Sequence, residues 1–437
     1  MLVSKLKKLK DYTTYFHSSS FIKNVTTVGG SIAIVQIINM LVMPFLTRLY
    51  GPAAFGIAAA FASALTIITP LATMGYANAI VLPKKDEDAL RIVQLSTFCS
   101  FVVFCFSLLI ISIFKDSLAK WVGISNAPNV LYLMPFALII SAFLSVASSI
   151  AIRKNLFKEK AKAYIGTSVI SNLVKLIIGL ATPSGLVLII LNVLTQLINL
   201  ILQIFYVPQN KLFKPIHWFG VKGIKEAAIS QKDFPIYRMP QSILNASVLG
   251  LPVILLTSLF GSTSAGQYSL AILILGAPAM LLGQAVGEVF YPKITHSIMV
   301  EPQNAYKLLV KVSLTLFLVG LFPFTIILFF GKWIVTLVFG DQWATAGYYS
   351  QLLSMWIFST LVSGASTAAI PALKLQRFLL IREIFSVVLR VIALYVGFYV
   401  FHSDLIAVGI FSTISILLSL SIMVVVFRKM KILNFAI

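Results

Sequence analysis

Charged side chains are scarce in this 437-residue sequence, and acidic ones are the scarcest. Only 11% of the residues are charged, with 13 Asp and Glu against 34 Lys and Arg, and there are four His. Roughly a quarter of the residues of a soluble domain are charged, so this composition excludes an ordinary soluble protein. The two cysteines, Cys99 and Cys105, stand in one apolar stretch and lack metal-ligand or redox spacing. We therefore expect no metal site and no cofactor.

Apolar residues fill the sequence instead. They make up 59% of it, and the mean hydropathy is +0.98. Runs long enough to cross a bilayer, roughly 20 residues each, recur along nearly the whole chain. The sequence therefore predicts an all-α integral membrane protein with about twelve transmembrane helices. The predicted spans are 25–46, 53–82, 92–114, 129–152, 163–180, 183–207, 239–260, 265–290, 312–330, 345–370, 384–401 and 405–427.

The positions of the basic residues predict the orientation. With the N-terminus inside, all but six of the 34 Lys and Arg fall on the inner side. The exceptions are Arg48, Lys115, Lys120 and Lys332 in outer segments, and Lys175 and Arg390 within spans. This is the positive-inside pattern, which predicts that both termini are cytoplasmic. The basic residues behind the net charge of +21 are therefore expected to orient the protein in the membrane and to contact lipid headgroups, and not to bind nucleic acid.

A pattern repeats at an offset of 210 residues. Residues 47–51 (Thr-Arg-Leu-Tyr-Gly) lead to Gly56, and residues 257–261 (Thr-Ser-Leu-Phe-Gly) lead to Gly266. Such repeats are typical of transporters and predict two pseudo-symmetric six-helix bundles with a cavity at their seam. The predicted divisions are a cytoplasmic segment 1–24, a first bundle 25–207, a cytoplasmic linker 208–238, a second bundle 239–427 and a cytoplasmic tail 428–437.

Four motifs in the same order resemble a known family. They are residues 43–52 (Met-Pro-Phe-Leu-Thr-Arg-Leu-Tyr-Gly-Pro), 79–89 (Ala-Ile-Val-Leu-Pro-Lys-Lys-Asp-Glu-Asp-Ala), 233–241 (Asp-Phe-Pro-Ile-Tyr-Arg-Met-Pro-Gln) and 339–347 (Phe-Gly-Asp-Gln-Trp-Ala-Thr-Ala-Gly). In these the chain resembles the bacterial O-antigen and capsule oligosaccharide flippases of the multidrug, oligosaccharidyl-lipid and polysaccharide exporter superfamily. One departure is Gly75-Tyr76-Ala77, where many relatives carry Arg-Tyr-Glu.

The resemblance implies a function as well as a fold. It implies a transporter that moves an undecaprenyl-pyrophosphate-linked repeat unit from the cytoplasmic to the periplasmic leaflet of the bacterial inner membrane, by alternating access. The product would be O-antigen lipopolysaccharide or another surface polysaccharide. The implied partners are the lipid-linked oligosaccharide, membrane lipids and other polysaccharide assembly proteins.

Two charges within the predicted spans are candidates for binding the cargo. A charge at mid-bilayer costs roughly 2.5–3.5 kcal/mol on insertion scales, so Lys175 and Arg390 call for a functional explanation. Facing a shared cavity, they would suit a phosphate group, which Arg can bind with two parallel hydrogen bonds. The alternative is that each lies near a helix end and extends to the headgroups.

Amide side chains form a second set of candidates. Asn192, Gln196, Asn199 and Gln203 have spacings of 4, 3 and 4, which places them on one helical face. They can bind sugar hydroxyls in a wet cavity, or they can hold neighbouring helices together. The same two interpretations apply to a further set in the first and seventh spans: Gln36, Asn39, Gln241 and Asn245.

A third set lies at the two membrane surfaces. Arg48 and Asp341 on the outer side and Arg238 on the inner side are candidate gates, with interface anchoring as the alternative. Glu288 is expected to be interfacial.

Three rival functions remain open at this stage. An enzyme, such as a membrane glycosyltransferase or a polymerase, would need catalytic groups on a soluble face, yet the predicted outer loops are short and poor in His, Asp and Glu. A cation-coupled drug antiporter would need a carboxylate in the first six spans, which contain none as predicted. A flippase for the peptidoglycan lipid precursor is the nearest alternative. We expect a transporter and not an enzyme.

Overall fold

The computed structural model describes residues 19–125, 127–207, 212, 214–221, 223–286, 290–300 and 302–435. These residues form helices and turns and contain no β-strand, which confirms the all-α prediction. The helices are α1 Ser19–Ala72, α2 Asp86–Val122, α3 Leu133–Arg153, α4 Phe157–Ala181, α5 Gly185–Tyr206, α6 Ile224–Ser230, α7 Met239–Phe260, α8 Ser262–Ala285, α9 Tyr291–Val300, α10 Pro302–Phe339, α11 Ala344–Ala369, α12 Gln376–Tyr399 and α13 Asp404–Phe435.

Nine helices in the described ranges are long and apolar enough to cross a membrane. One of them is α1, which bends at Gly51 into two arms, 19–50 and 52–72. The 24-residue helices α8 and α12 are outside these nine. The count of twelve spans therefore stays a prediction. Some helices extend well beyond the predicted spans, and α10 continues to Phe339 although the predicted span ends at residue 330.

The helices pack as two groups that meet along α1. Helices α2 to α5 pack around α1 in the first group, while α10 and α13 flank α11 in the second. Across the seam, α1 packs against both α7 and α8. The linker between the groups contains α6 and packs against the N-terminal part of α2.

The paired glycine turns have nearly the same backbone geometry. Gly51 has φ 70° and ψ 169°, and Gly261 has φ 92° and ψ 167°. A positive φ of this kind favours glycine because it has no Cβ. The structure thus gives the two halves equivalent turns, as the 210-residue repeat predicts. We call the face that carries these turns the outer face, following the orientation predicted from the charges.

The second glycine of each repeat lies directly across the seam from its counterpart. A Cβ built on Gly56 would lie 1.7 Å from the Ser262 carbonyl oxygen, and one built on Gly266 would lie 1.9 Å from the Pro52 carbonyl oxygen. The backbones of α1 and α8 therefore touch here, in the way that small residues allow membrane helices to approach. This contact closes the seam near the outer face.

Candidate functional site

A cavity of about 440 Å³ lies inward of the glycine contact, between α1, α4, α5 and α8. Its apolar wall comes mainly from α1 and its polar wall from α4 and α5. The polar residues lining it are Asn39, Tyr164, Thr167, Ser168, Ser171, Asn172, Lys175, Asn192, Thr195, Asn199 and Ser269. The apolar ones include Val35, Met43, Leu46, Phe55, Ala58, Ala62, Leu188 and Leu273. No Asp or Glu is among the residues that the structure places on this wall.

One amide on α1, Asn39, is held against the polar side chains of α4. Asn39 Oδ1 accepts hydrogen bonds from Ser168 Oγ at 2.9 Å and from Asn172 Nδ2 at 2.8 Å. These two bonds occupy the acceptor sites of that oxygen and set the orientation of the amide. The Asn39 Nδ2 group can therefore donate into the cavity, where a phosphate, hydroxyl or carbonyl oxygen would accept.

Lys175 is the one charged side chain on the wall among the residues described. It lies in the outer half of α4, about 9 Å along the axis from the end of the helix at Ala181. The Tyr50 hydroxyl donates to the Lys175 carbonyl oxygen at 2.8 Å, which holds this part of α4 against the bend in α1. The structure thus places a cation at the outer end of a cavity whose other polar groups are neutral.

The predicted amide face of α5 is divided between two environments. Asn192 and Asn199 line the cavity, whereas Gln196 accepts a hydrogen bond from Ser141 of α3. Gln203 is buried and accepts from Ser148 of α3 at 3.1 Å, while donating to Asn199 Oδ1 at 3.0 Å. Gln196 also borders a smaller cavity of about 90 Å³ shared with Asn192. The structure therefore places two of these amides on the cavity and two against α3, and binding of sugar hydroxyls by the first two stays a prediction.

Arg390 does not line the cavity with Lys175, in contrast to the shared site expected from the sequence. Its side chain is 6% exposed, and its Nε donates to Ser415 Oγ at 2.9 Å. The guanidinium lies 5.4 Å from the Trp356 ring centre and 5.6 Å from that of Phe411, so cation–π contacts stabilise it. Arg390 therefore points from α12 into the second bundle. Its partners, the two rings and the hydroxyl, belong to α11 and α13.

The other candidates are dispersed. Gln36, Gln241 and Asn245 are not among the residues lining the cavity. Arg238 donates to Gln241 Oε1 at 3.1 Å, one helical turn away, and this contact does not cross the seam. Asp341 is exposed in a turn on the outer face. Glu288 lies outside the described residues.

Arg48 takes part in a set of contacts that seals the outer face. Its guanidinium donates to the carbonyl oxygens of Leu337 at 3.4 Å and Val338 at 3.1 Å, both in the other half. Trp343, which is fully buried, donates from Nε1 to the Thr47 carbonyl oxygen at 3.2 Å, and its ring centre lies 5.6 Å from that of Phe55. Residues around the motif at 339–347 therefore join the second half to the bend of α1.

Sequence reasoning missed the polar face of α4. Tyr164, Ser168, Asn172 and Lys175 have spacings of 4, 4 and 3, the same signal that identified the amides of α5. Only Lys175 was singled out, because serine is common inside membrane helices and a hydroxyl there most often bonds to its own backbone.

The fold, two halves that meet at a seam beside a polar cavity, is similar to that of solved membrane transporters. An inward-closed structure of the lipid II flippase MurJ matches 93% of this chain and 89% of its own, with a TM-score of 0.71 and 12% identity. An inward-facing multidrug resistance transporter of the MATE family of the MOP superfamily matches 91% of this chain and 95% of its own, with a TM-score of 0.64 and 15% identity. The chain has the fold of this superfamily.

The sequence comparisons identify the family. The model of the polysaccharide biosynthesis protein family matches residues 45–347, and the chain belongs to that family. A curated relative, the succinoglycan biosynthesis transport protein ExoT of Rhizobium meliloti (strain 1021), is 25% identical over 330 residues. That match covers 73% of this chain and 62% of ExoT, so the chain matches less than two thirds of the length of this relative. These findings confirm the resemblance read from the motifs.

The division of the α5 amides predicts a pattern of thiol reactivity. With Cys99 and Cys105 replaced by alanine, cysteine at Asn192 or Asn199 is expected to react with a water-soluble thiol reagent, because both side chains line the cavity. Cysteine at Gln203, which is 1% exposed, is expected to be protected by α3. Mass spectrometry of the labelled protein measures the difference. Reaction at Gln203 with protection at Asn192 and Asn199 would contradict this assignment of the wall.

Proposed function

We propose that this protein flips an undecaprenyl-pyrophosphate-linked oligosaccharide from the cytoplasmic to the periplasmic leaflet of the inner membrane, for O-antigen or another surface polysaccharide. The observation that carries the proposal is the cavity wall, which combines many neutral hydrogen-bonding groups with one lysine and no carboxylate among the residues described. Neutral groups suit sugar hydroxyls, and a cation suits a pyrophosphate. Membership of the polysaccharide biosynthesis protein family supports the same class of cargo.

The lysine lowers the largest energetic barrier that such a cargo meets. Moving a pyrophosphate from the headgroup layer into a cavity of low dielectric constant removes much of its hydration, which is costly unless a fixed cation or water replaces it. Lys175, with the Asn39 amide on the facing helix, offers a charge-assisted donor and a neutral donor to the anion. The inside-negative potential then favours outward movement by roughly 2.3 kcal/mol per charge per 100 mV.

Alternating access requires the outer seal to open while the cavity closes on the inner side. The seal consists of the Gly56–Gly266 contact, the Arg48 hydrogen bonds and the docked Trp343. Each is a packing or hydrogen-bond contact between the halves and none is covalent, so a rigid-body movement of one half can break them together. The fold of the superfamily supports this mechanism.

Two rivals share this fold. A drug antiporter would be expected to present a carboxylate to its cationic drug or coupling ion, and the described cavity wall presents a lysine. A flippase for the peptidoglycan lipid precursor shares the pyrophosphate chemistry and is the second candidate, favoured by the likeness to MurJ in fold.

Complementation separates these functions. In a host whose own copy is deleted, we expect the protein to restore surface polysaccharide and to leave drug resistance unchanged. Polysaccharide is measured by gel staining and by sugar analysis of the cell surface. Rescue of cells depleted of their peptidoglycan-precursor flippase, without restored polysaccharide, would favour the second candidate. A gain of drug efflux alone would favour the antiporter.

A further inference from the structure

The linker between the halves carries apolar side chains that the protein leaves uncovered. In residues 214–221, Ile216 is 76% exposed, Phe219 is 53% exposed and Val221 is 78% exposed. The segment is nevertheless firmly held, because Trp218 is fully buried and donates from Nε1 to the Leu212 carbonyl oxygen at 2.7 Å.

One of these side chains, Phe219, continues the exposed apolar surface of α2. The ring centre of Phe219 lies 6.0 Å from that of Phe101 on α2, and 6.4 Å from that of Phe143 on α3. Phe101 and its neighbour Phe98 are themselves 41% and 51% exposed on a helix that crosses the membrane. Phe219 therefore joins the linker to the exposed apolar surface of α2.

The depth of this surface follows from the length of α2. Measured at about 1.5 Å per residue from Lys115, a charged residue near the outer end, a hydrocarbon core of about 30 Å ends near residue 95. The backbone of the linker lies at that level, since Gln94 Nε2 donates to the His217 carbonyl oxygen at 3.2 Å. Phe219 reaches Phe101, which lies about 9 Å deeper.

The lysines on either side of the segment also fit a position at the membrane interface. Lys214 precedes the apolar residues and Lys225 follows them, and both are exposed. A short apolar stretch between lysines, with an aromatic residue at the boundary, is typical of segments that lie in the membrane interface.

We propose that residues 214–221 form an in-plane anchor that inserts Ile216, Phe219 and Val221 among the acyl chains of the inner leaflet, with lipid as the partner. The linker, predicted from the sequence to be a cytoplasmic connection, is then fixed in depth against α2. This inference is independent of the cargo, because it rests on exposure, ring contacts, charge and the depth of the segment along α2.

Depth-dependent fluorescence quenching tests the anchor. The full-length protein, with Cys99 and Cys105 replaced by alanine, is labelled with an environment-sensitive dye at Val221→Cys and reconstituted in vesicles of phosphatidylethanolamine and phosphatidylglycerol. Lys225→Cys in the same linker is the matched control. We expect lipids brominated on their acyl chains to quench the dye at 221 at least about twofold more than at 225, and aqueous iodide to do the reverse.

Two results would overturn the proposal. Equal iodide quenching at both positions would place the segment in water. Protection of position 221 from both quenchers would mean that protein, from a second copy or from a rearranged linker, covers the surface. The polysaccharide assay is not involved, so these outcomes do not depend on the proposed cargo.

Discussion

Alanine at Gly56 or at Gly266 is expected to remove most transport activity. Either Cβ would overlap a backbone carbonyl oxygen of the opposite half, at 1.7 Å or 1.9 Å, and a backbone atom cannot move aside as a side chain can. Overpacking of this kind typically costs about 1–3 kcal/mol. Here it destabilises only the state in which the outer seal is closed. Since each 1.4 kcal/mol is a factor of ten, a shift of that size changes the ratio of the two states by roughly 5-fold to 160-fold.

Gly276→Ala is the matched control for this prediction. Gly276 lies on the same helix as Gly266, and a Cβ built there meets nothing within 4 Å. Surface polysaccharide and protein level are measured for all three variants in the deletion host. Export at the normal rate from a well-expressed Gly56→Ala, Gly266→Ala double variant would show that the two halves need not touch at this point.

Reversal of the charge at Lys175 is expected to abolish transport while the protein still reaches the membrane. Lys175→Glu would present an anion to the pyrophosphate of the proposed cargo inside the cavity. Lys175→Ala would leave that pyrophosphate without a cation, and Lys175→Arg would keep the charge and part of the activity. The readout is surface polysaccharide normalised to the amount of protein in the membrane.

Lys162 provides the control on the same helix. It is exposed at the inner end of α4 and is not among the residues lining the cavity, so Lys162→Ala is expected to export at nearly the normal rate. Full export by Lys175→Glu would contradict the role of the lysine.

Arg390 is expected to behave differently from Lys175. Because its guanidinium is buried against Trp356, Phe411 and Ser415, Arg390→Glu would place an unpaired carboxylate beside aromatic rings and should lower the amount of folded protein. Arg390→Lys should be tolerated better. A direct role in binding the cargo stays a prediction, and an Arg390→Glu protein of normal abundance that fails to export would support it.

The features predicted from the sequence are those that local chemistry decides. Hydropathy predicts the membrane helices, and the 210-residue repeat pairs Gly51 with Gly261, where the structure has matched turns with a positive φ. The cost of a charge in hydrocarbon selected Lys175, which the structure places on the cavity wall.

The features that the sequence left open depend on which neighbour a helix meets. The sequence of α5 shows four equivalent amides on one face. Two of them, Gln196 and Gln203, bond to α3, because α3 places Ser141 and Ser148 beside them. Arg390 was expected in the shared cavity, and its actual orientation follows from rings on α11 and α13 that are distant in sequence. Neither the bonding of the two glutamines to α3 nor the orientation of Arg390 can be predicted from the periodicity of a single helix.

The most direct test of the proposed function is a flipping assay with the purified protein. A lipid-linked oligosaccharide is incorporated into both leaflets of vesicles, and a membrane-impermeant glycosidase then cleaves whatever sugar is exposed outside. Vesicles without protein protect the inner half of the substrate. With the wild-type protein we expect nearly complete cleavage, and with Lys175→Glu we expect the protection to remain. Protection that is unchanged by the wild-type protein would contradict the proposal that this protein flips a lipid-linked oligosaccharide.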